Sequence, residues 1–262
     1  MKEIRIKAIF FDVDGTLVSH TINDIPSGTL QALDQLRKKG ILVFIATGRH
    51  ISELEQMPLH HAPFDGYVTQ TGQICYDGNF HPIYEEPLNR KDTEILIQTF
   101  REKKLPIALI GRTTYYINYL DDNVKGVLDS INTPYPEVKD YQGEDLFGAS
   151  IYPYGKEEES RELFAQLKGC KESSWHDRAS DIILKEGGKV RGIEKVMEYF
   201  GLDRSEIMAF GDEDNDVEMI GFAGIGVAMG NGTREAKVAA DYVTASVDED
   251  GIRKALRHFG IL

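Results

Sequence analysis

The chain has 262 residues, of which 41% are hydrophobic and 28% charged, and its formal net charge at pH 7 is −13. This composition is typical of a folded globular protein and excludes a disordered or fibrous chain. The negative charge excludes the broad basic surface needed for binding nucleic acid, and an enzyme acting on anionic phosphates would need local positive charge to overcome it.

The sequence also argues against a membrane or secreted protein. The N-terminal residues MKEIRIKAIFFDVDG mix apolar and charged positions, which fits neither a signal peptide nor a membrane span, and no other stretch approaches 18 apolar residues. Cys75 and Cys170 lie far apart, outside the spacing of a zinc site or a disulfide framework. We therefore expect a cytoplasmic protein without a membrane partner.

The first predicted elements form a βαβ unit. An apolar, β-branched run from Ile4 to Phe11 predicts a buried strand that ends in a loop at Asp12. A pattern with a period of 3.6 residues between Pro26 and Gly40 predicts a helix. The next apolar run, from Ile41 to Ala46, predicts a second strand, and this order is typical of a parallel sheet.

The middle of the chain follows a different pattern. After a short helix predicted over residues 51–57 and a strand over 66–70, the sequence predicts a hairpin of Ile74 to Tyr76 and His81 to Tyr84. Helix-like and strand-like segments then alternate without βαβ order, which indicates an α+β insert. The predicted helices are Lys91 to Lys103 and Glu157 to Leu167, and the predicted strands are Ile107 to Ile110, Tyr115 to Tyr119, Ala149 to Tyr152 and Ile182 to Leu184.

Past Gly187 the βα order returns, which predicts a split architecture. The elements are a helix over Val190 to Phe200, strands over Ile207 to Phe210 and Ile225 to Ala228, a helix through Glu218 between them, another helix, and a final one over Gly251 to His258. We therefore predict an α/β protein with a Rossmann-like parallel-sheet core formed by residues 1–82 and 186–262. An α+β cap domain of residues 83–185 is inserted into it.

Two carboxylates follow the first predicted strand. Asp12 and Asp14 are two residues apart, so their side chains should face one pocket at the carboxyl edge of the sheet. Crowded carboxylates tolerate each other if a divalent cation lies between them or if one is protonated, and Mg²⁺ is the natural candidate. Two acidic residues and a glycine can also simply end a strand.

A denser acidic segment, GDEDND, follows the strand that ends at Phe210. Its carboxylates could be a solvated loop or the first turn of a helix. Its position favours a functional role, because Asp212 follows a strand at the same predicted edge as Asp12 and can reach the same cation. Asn215 and Asp216 lie one helical turn further along.

Together these segments resemble the motifs of the haloacid dehalogenase (HAD) superfamily. Its first motif is an apolar strand followed by DxDGT, which corresponds to Phe10 to Leu17. The second is a Thr or Ser after the next core strand, here Thr47, and the third is a Lys, here Lys189. The fourth, GDxxND, corresponds to Gly211 to Asp216. The resemblance implies the HAD fold.

The length and position of the insert are similar to those of the Cof-like subfamily with a large α+β cap (type II, subclass B). Val227 to Gly232 (VAMGNG) and the acidic stretch Asp248 to Gly251 also resemble that group. Val190 and Glu213 depart from it, because the family often has Gly and a small residue at these positions. Neither departure removes a reactive group.

The resemblance implies a two-step displacement through an aspartyl-phosphate. Asp12 would attack phosphorus, while Asp14 would protonate the leaving alcohol and then deprotonate the hydrolytic water. Mg²⁺ would be held by Asp12, the backbone carbonyl of Asp14 and Asp212. Asp216 would support the metal, its waters or Lys189.

A phosphate-binding set is implied as well. Thr47 would donate its hydroxyl and Gly48 its amide to the phosphoryl oxygens, Lys189 would neutralise the transferring group, and Asn215 would contact the phosphate side. Each has an ordinary alternative when taken alone. Thr-Gly after a strand is a common turn or helix cap, and lysines before helices are common. Arg49 could contact substrate or lie on a helix surface.

The implied activity is a hydrolase of small phosphate esters, with sugar phosphates first and phosphorylated cofactors such as pyridoxal phosphate or a flavin mononucleotide next. The cap would choose the substrate, and its Tyr115, Tyr116, Tyr119 and Trp175 could line the pocket, although aromatic residues at strand spacing are more often core. Two alternatives stay open. One is a phosphomutase on the same fold, and the other is a non-catalytic phosphate-binding protein.

Overall fold

A computed structural model describes residues 6–62, 64–131 and 133–262. The strands, in chain order, are β1 Ala8–Phe11, β2 Leu42–Ala46, β3 Gly66–Thr69, β4 Ile74–Asp77, β5 Pro82–Glu85, β6 Ile107–Ile110, β7 Tyr115–Ile117, β8 Glu137–Val138, β9 Gly148–Ile151, β10 Cys170–His176, β11 Ala179–Leu184, β12 Ile207–Gly211, β13 Ile225–Ala228 and β14 Tyr242–Val243. The α-helices are α1 Ser27–Lys38, α2 Ile51–Leu54, α3 Arg90–Glu102, α4 Asp122–Ser130, α5 Glu157–Gln166, α6 Lys189–Phe200, α7 Val217–Phe222, α8 Arg234–Ala239 and α9 Gly251–His258.

The chain divides into two compact units. The first, which we call the core unit, combines residues 1–85 and 188–262, and the second, the inserted unit, is residues 86–187. The sequence placed these boundaries near residues 83 and 186. Within the described residues, no helix combines the length and the apolar composition needed to cross a membrane.

The core unit contains an eight-stranded sheet in the order β14-β13-β12-β1-β2-β3-β4-β5. The first six of these strands are parallel, whereas β4 is antiparallel to β3 and β5 is antiparallel to β4. The central strands are buried on both faces, which explains their nearly continuous apolar sequences. This sheet confirms the predicted α/β class.

One face of the core sheet packs against α6. Phe10 of β1 and Phe44 of β2 stack with their ring centroids 4.8 Å apart, and both belong to an apolar cluster that includes Ile193 and Val196 of the helix. The helix presents these residues at a spacing of three, so they lie on one face. This packing fixes the start of α6, where Lys189 is the first helical residue.

The inserted unit has a six-stranded sheet in the order β10-β11-β9-β6-β7-β8. All pairs are antiparallel except the last, which is parallel. Its larger apolar cluster lies between the sheet and helices α3 and α5, through residues such as Leu96 and Leu163. A second, smaller cluster includes Val124 and Val127 of α4.

Several predicted elements differ in the structure. Residues 4 and 5 of the first predicted strand lie outside the described residues, and β1 begins at Ala8. The helix predicted over 51–57 stops at Leu54, shortly before a 3₁₀ turn that starts with Pro58. The helix predicted through Glu218 is a 3₁₀ turn followed by α7, which extends to Phe222. Helix α4 and strand β10 were not predicted: α4 has only nine residues, although its Val124, Val127 and Leu128 follow helical spacing, and β10 has no clear apolar alternation.

Candidate active site

Three loops that carry predicted site residues leave the same edge of the core sheet. Strand β1 pairs in parallel with β12 and with β2, in registers that align Phe11 with Phe210 and with Ile45. Asp12, Thr47 and Asp212 are the residues that follow these strands, and all three are buried. Parallel strands end at the same edge, so the topology brings these loops together.

Three carboxylates meet at this edge. One oxygen from each of Asp12, Asp212 and Asp216 lies within 4.8 Å of the other two, and the side chains are buried. Burial, and then repulsion by Asp216, raise the pKa of Asp12 well above its usual value. Burial is also the main cause that raises the pKa of Asp212 to about 7. The cluster therefore needs nearby positive charge.

Lys189 supplies part of that charge. Its Nζ donates to Oδ1 of Asp12 at 2.5 Å and to Oδ1 of Asp216 at 2.6 Å, and only 2% of the residue is exposed. Burial opposes protonation of this lysine, but attraction to the two carboxylates outweighs it and raises the pKa of Lys189 above its usual value. Three carboxylates against one ammonium leave the cluster negative, and this buried set of oxygen ligands fits Mg²⁺.

Asp216 is held from both sides. Besides Lys189 on Oδ1, its Oδ2 accepts the backbone N–H groups of Asp212 at 2.9 Å and Glu213 at 3.1 Å. A Cβ at Gly211 would lie 2.5 Å from the Asp216 side chain, so only glycine leaves it room. Asp216 thus braces the loop after β12 and orients Lys189.

Asp14 lies apart from these three carboxylates and pairs with Arg49. The guanidinium donates from Nε to Oδ2 at 2.7 Å and from Nη2 to Oδ1 at 2.9 Å, which is a bidentate ion pair. Burial opposes the charge of Arg49, but its hydrogen bonds to Asp14 outweigh that and raise the pKa of Arg49. Sequence reasoning had not anticipated this partner for Arg49.

Thr47 and Gly48 form a turn after β2. The Thr47 hydroxyl accepts the Arg49 N–H at 3.1 Å, so its own hydrogen can be donated elsewhere. The backbone of this turn is tied to the segment after β3, because the Thr71 N–H donates to the Thr47 carbonyl at 3.1 Å. Gly48 is half-buried, and its amide donates no hydrogen bond to the backbone of the described residues.

Asn215 lies in the 3₁₀ turn Asp214–Asp216, next to the acidic cluster. Its Oδ1 is buried and has no hydrogen-bond partner in the described part of the chain. A buried amide oxygen without a partner costs free energy, which favours a site for a bound group at this position.

Two further residues hold Asp212, and the sequence did not assign either a role. The Thr16 hydroxyl donates to Oδ1 of Asp212 at 2.7 Å. The Asn231 amide donates to the Gly15 carbonyl at 2.9 Å and to Oδ2 of Asp212 at 3.3 Å. Both residues belong to segments that the motif comparison had singled out, DGT and VAMGNG. Their positions within these motifs were the one feature of the sequence that could have indicated a role, because a threonine or an asparagine is not distinctive by itself.

The aromatic residues of the inserted unit have structural contacts. Tyr116 is buried in its larger apolar cluster, and its hydroxyl donates to Glu144 at 2.7 Å. Trp175 packs edge-on against Tyr152 and donates through Nε1 to Asp181 at 2.9 Å. Such contacts favour a packing role for these two side chains.

Comparisons with known proteins agree with this arrangement. The model of the haloacid dehalogenase-like hydrolases matches residues 9–256. The chain is 35% identical to the Bacillus subtilis (strain 168) protein YkrA, named as a phosphatase, over 98% of each chain. It is 29% identical to 5-amino-6-(5-phospho-D-ribitylamino)uracil phosphatase YitU of the same organism, again over 98% of each.

Solved structures extend the similarity to three dimensions. The HAD subclass IIB sugar phosphatase BT4131 matches with a TM-score of 0.85 at 33% identity, covering 98% of this chain and 100% of that one. The family model spans nearly the whole chain, so both the core unit and the inserted unit are included in the match. The chain therefore belongs to the haloacid dehalogenase-like hydrolases and is a Cof-like phosphatase of that superfamily.

Proposed function

We propose that this protein is a Mg²⁺-dependent phosphohydrolase of small phosphorylated metabolites that works through an aspartyl-phosphate on Asp12. The observation that carries the proposal is the buried cluster of three carboxylates with Lys189 bonded to two of them. A buried group of this charge is costly unless it serves binding or chemistry.

The cation would be held by Asp12, Asp212 and the backbone carbonyl of Asp14, with Asp216 in support through Lys189 and the loop amides. When bound, Mg²⁺ neutralises negative charge on the carboxylates and on the phosphoryl oxygens. The donor set supports this assignment, because it consists of oxygen ligands and is negative. Neutral donors on Asp212, from Thr16 and Asn231, orient its carboxylate without cancelling its charge.

Asp12 is the proposed nucleophile. Lys189 donates to Oδ1, so Oδ2 is the oxygen without a donor among the described residues and the one we assign to attack. Its bond to phosphorus forms as the ester P–O bond breaks. Lys189, the Thr47 hydroxyl and the Gly48 amide stabilise charge on the phosphoryl oxygens, and Asn215 contacts the phosphate side.

Asp14 is the proposed acid and base. It protonates the leaving alkoxide and then takes a proton from the water that attacks the aspartyl-phosphate, which releases phosphate and restores Asp12. Arg49 occupies both Asp14 oxygens, so this ion pair has to loosen before Asp14 reaches the leaving group. A phosphate dianion that enters the site competes with Asp14 for the Arg49 guanidinium, and this competition loosens the ion pair.

The proposed substrates are sugar phosphates first and phosphorylated cofactors or their precursors next. The similar protein BT4131 is a sugar phosphatase, and YitU acts on a phosphorylated ribityl compound, so both relatives support polyhydroxylated phosphate esters. We assign the choice among them to the inserted unit. A panel of phosphorylated metabolites assayed with MgCl₂ will rank the candidates.

The test of the nucleophile is Asp12→Asn, with phosphate release from p-nitrophenyl phosphate as the readout. We expect a loss of at least about 10³-fold, because an amide cannot form the acyl-phosphate. Asp65→Asn is the matched control, since Asp65 accepts the Val43 N–H at 2.8 Å at the opposite edge of the sheet. Undiminished release by Asp12→Asn would refute the assignment.

The same assay separates the alternatives. Free phosphate released from a sugar phosphate without a bisphosphate activator excludes a phosphomutase. A wild-type protein that binds inorganic phosphate but turns over no ester in the panel would instead favour a non-catalytic binding protein.

A further inference from the structure

Thr71 combines a strained backbone with a hydroxyl that bonds no described neighbour. Its φ is 52°, in the left-handed region that β-branched residues rarely adopt, and the preceding Gln70 has a φ of 48°. Thr71 is 5% exposed, and its hydroxyl forms no hydrogen bond within the described residues. A left-handed threonine costs roughly 1–2 kcal/mol.

The position of Thr71 relative to the site is fixed by its backbone. Its N–H donates to the Thr47 carbonyl at 3.1 Å, which attaches Thr71 to the turn we assign to phosphate binding. A Cβ built on Gly48 would lie 3.4 Å from the Thr71 hydroxyl oxygen. The hydroxyl therefore lies against Gly48, the residue whose amide is proposed to bind a phosphoryl oxygen.

The next residue contacts the opposite side of the same site. Gly72 approaches the Gly188 carbonyl so closely that a Cβ there would overlap it, and the Gly192 Cβ position lies 2.8 Å from Gly72 Cα. Gly188 immediately precedes Lys189 in the chain. The turn of residues 70–72 is thus packed between the Thr47 turn and the start of α6, both of which carry proposed phosphoryl-binding groups.

Strained backbone persists where the surroundings enforce it, and such residues cluster at functional sites. A structural role does not account for the Thr71 side chain, because its hydroxyl stabilises no neighbour in the described structure. A bound phosphoryl group would give that hydroxyl an acceptor.

We propose that the Thr71 hydroxyl is an additional donor to the phosphoryl group of the substrate, beside Thr47, Gly48 and Lys189. This inference rests on the proposed phosphohydrolase function and deepens it. A bound phosphoryl group would then supply the acceptor that the described residues do not offer to this hydroxyl.

Thr71→Val tests the proposal, because valine keeps the shape and the β-branching but removes the hydroxyl. We expect KM for p-nitrophenyl phosphate and the inhibition constant of inorganic phosphate to rise roughly tenfold or more, as for a lost hydrogen bond to a charged group. The melting temperature of the free protein should stay equal or rise. Thr71→Ser should retain phosphate binding within about threefold.

Thr69→Val is the matched control. Thr69 is two residues away and fully buried, but its hydroxyl donates to the Ile74 carbonyl at 3.0 Å. Its replacement should lower the melting temperature and leave KM and phosphate inhibition unchanged. Thr71→Gly, which relieves the left-handed strain, supplies a hydroxyl-free variant if Thr71→Val does not fold.

The outcomes separate this inference from the proposed function. If wild type turns over esters and is inhibited by phosphate, but Thr71→Val or Thr71→Gly matches it in both constants, Thr71 does not contact the phosphoryl group. A Thr71→Ser variant as weak as Thr71→Val would overturn the proposal too. If wild type neither turns over esters nor binds phosphate, the proposed function itself fails.

Discussion

The core unit and the inserted unit are both sheets with helices, but their strands run differently. Six neighbouring strands of the core sheet are parallel, so their carboxyl ends share one edge. Neighbouring strands of the inserted sheet are mostly antiparallel and end at alternate edges. Parallel order therefore concentrates loop residues in one place, and in the core unit these residues include three buried carboxylates.

A buried aspartate in each unit shows what that concentration does. Asp92 of the inserted unit is buried, yet hydrogen bonds from the Asn89 side chain and from the amides of Lys168 and Gly169 outweigh burial and lower its pKa. Asp12 of the core unit has a strongly raised pKa, because burial and neighbouring carboxylates outweigh Lys189. Burial alone therefore does not raise the pKa of an aspartate. The pKa of Asp12 is raised because its burial and the neighbouring carboxylates are not fully compensated.

The largest effect should come from removing the lysine of the core cluster. Lys189→Met leaves Asp12 and Asp216 buried without their cation, and we expect metal-free protein to lose about 3–5 kcal/mol of unfolding free energy. Urea unfolding measures this loss. Lys38→Met is the control, because Lys38 pairs with Asp34 at 2.6 Å on an exposed helix surface and should change stability by less than about 0.5 kcal/mol. Equal losses of unfolding free energy in the two variants would show that Lys189 does not stabilise the buried carboxylates.

The two buried aspartates should give opposite pH dependences. The pKa of Asp212 is raised from 3.8 to about 7, so its contribution to stability is greatest below pH 4 and is lost as pH rises to about 7. Because the pKa of Asp92 is lowered, its contribution is present above pH 4 and is lost as pH falls through the folded value.

Urea unfolding of metal-free protein from pH 3 to 8 measures both contributions by comparison with Asp212→Asn and Asp92→Asn. The Asp212 difference should reach at most about 4 kcal/mol, and MgCl₂ should reduce it by favouring the ionised carboxylate. A wild-type curve parallel to that of Asp212→Asn would show that this carboxyl titrates normally.

A smaller effect should follow from loosening Asp212. Asn231→Ala removes its amide bonds to the Gly15 carbonyl and to Asp212, together with the bond that its Oδ1 accepts from the Val247 N–H, and we expect the MgCl₂ concentration for half-maximal thermal stabilisation to rise about three- to tenfold. The loop of Asn231 is already pinned, since a Cβ at Gly232 would lie 2.8 Å from the Asp212 carbonyl oxygen. We therefore expect the substitution to change the orientation of the Asp212 carboxylate more than the position of the loop.

Thr244→Val serves as the comparison for that variant. Thr244 donates to the Gly251 carbonyl at 2.6 Å in the same part of the core unit, without touching Asp212. It should lower the melting temperature and leave the MgCl₂ midpoint in place. An unchanged midpoint in Asn231→Ala would mean that Thr16 and the loop backbone suffice to orient Asp212.

Sequence reasoning predicted fully buried strands better than partly exposed ones. Continuous apolar strands were predicted with their observed bounds in both units, Ile225 to Ala228 in the core unit and Ile107 to Ile110 in the inserted unit, because burial on both faces leaves a local signature. Strand β10, whose sequence CKESSWH alternates weakly and is partly exposed, lacks that signature. Helix α4 was missed because it is short, with three apolar residues at helical spacing in nine.

The sequence by itself determined the fold class, the family and the residue types that can perform phosphate chemistry, because motifs and apolar periodicity are local properties. Only the tertiary structure decided which groups meet: that Lys189 bonds Asp12 and Asp216, that Arg49 bonds Asp14, and that Thr71 lies against Gly48. Strand order and loop packing set those distances. The contact between Lys189 and Asp12 joins residues 177 positions apart, and no local sequence pattern can indicate such a contact.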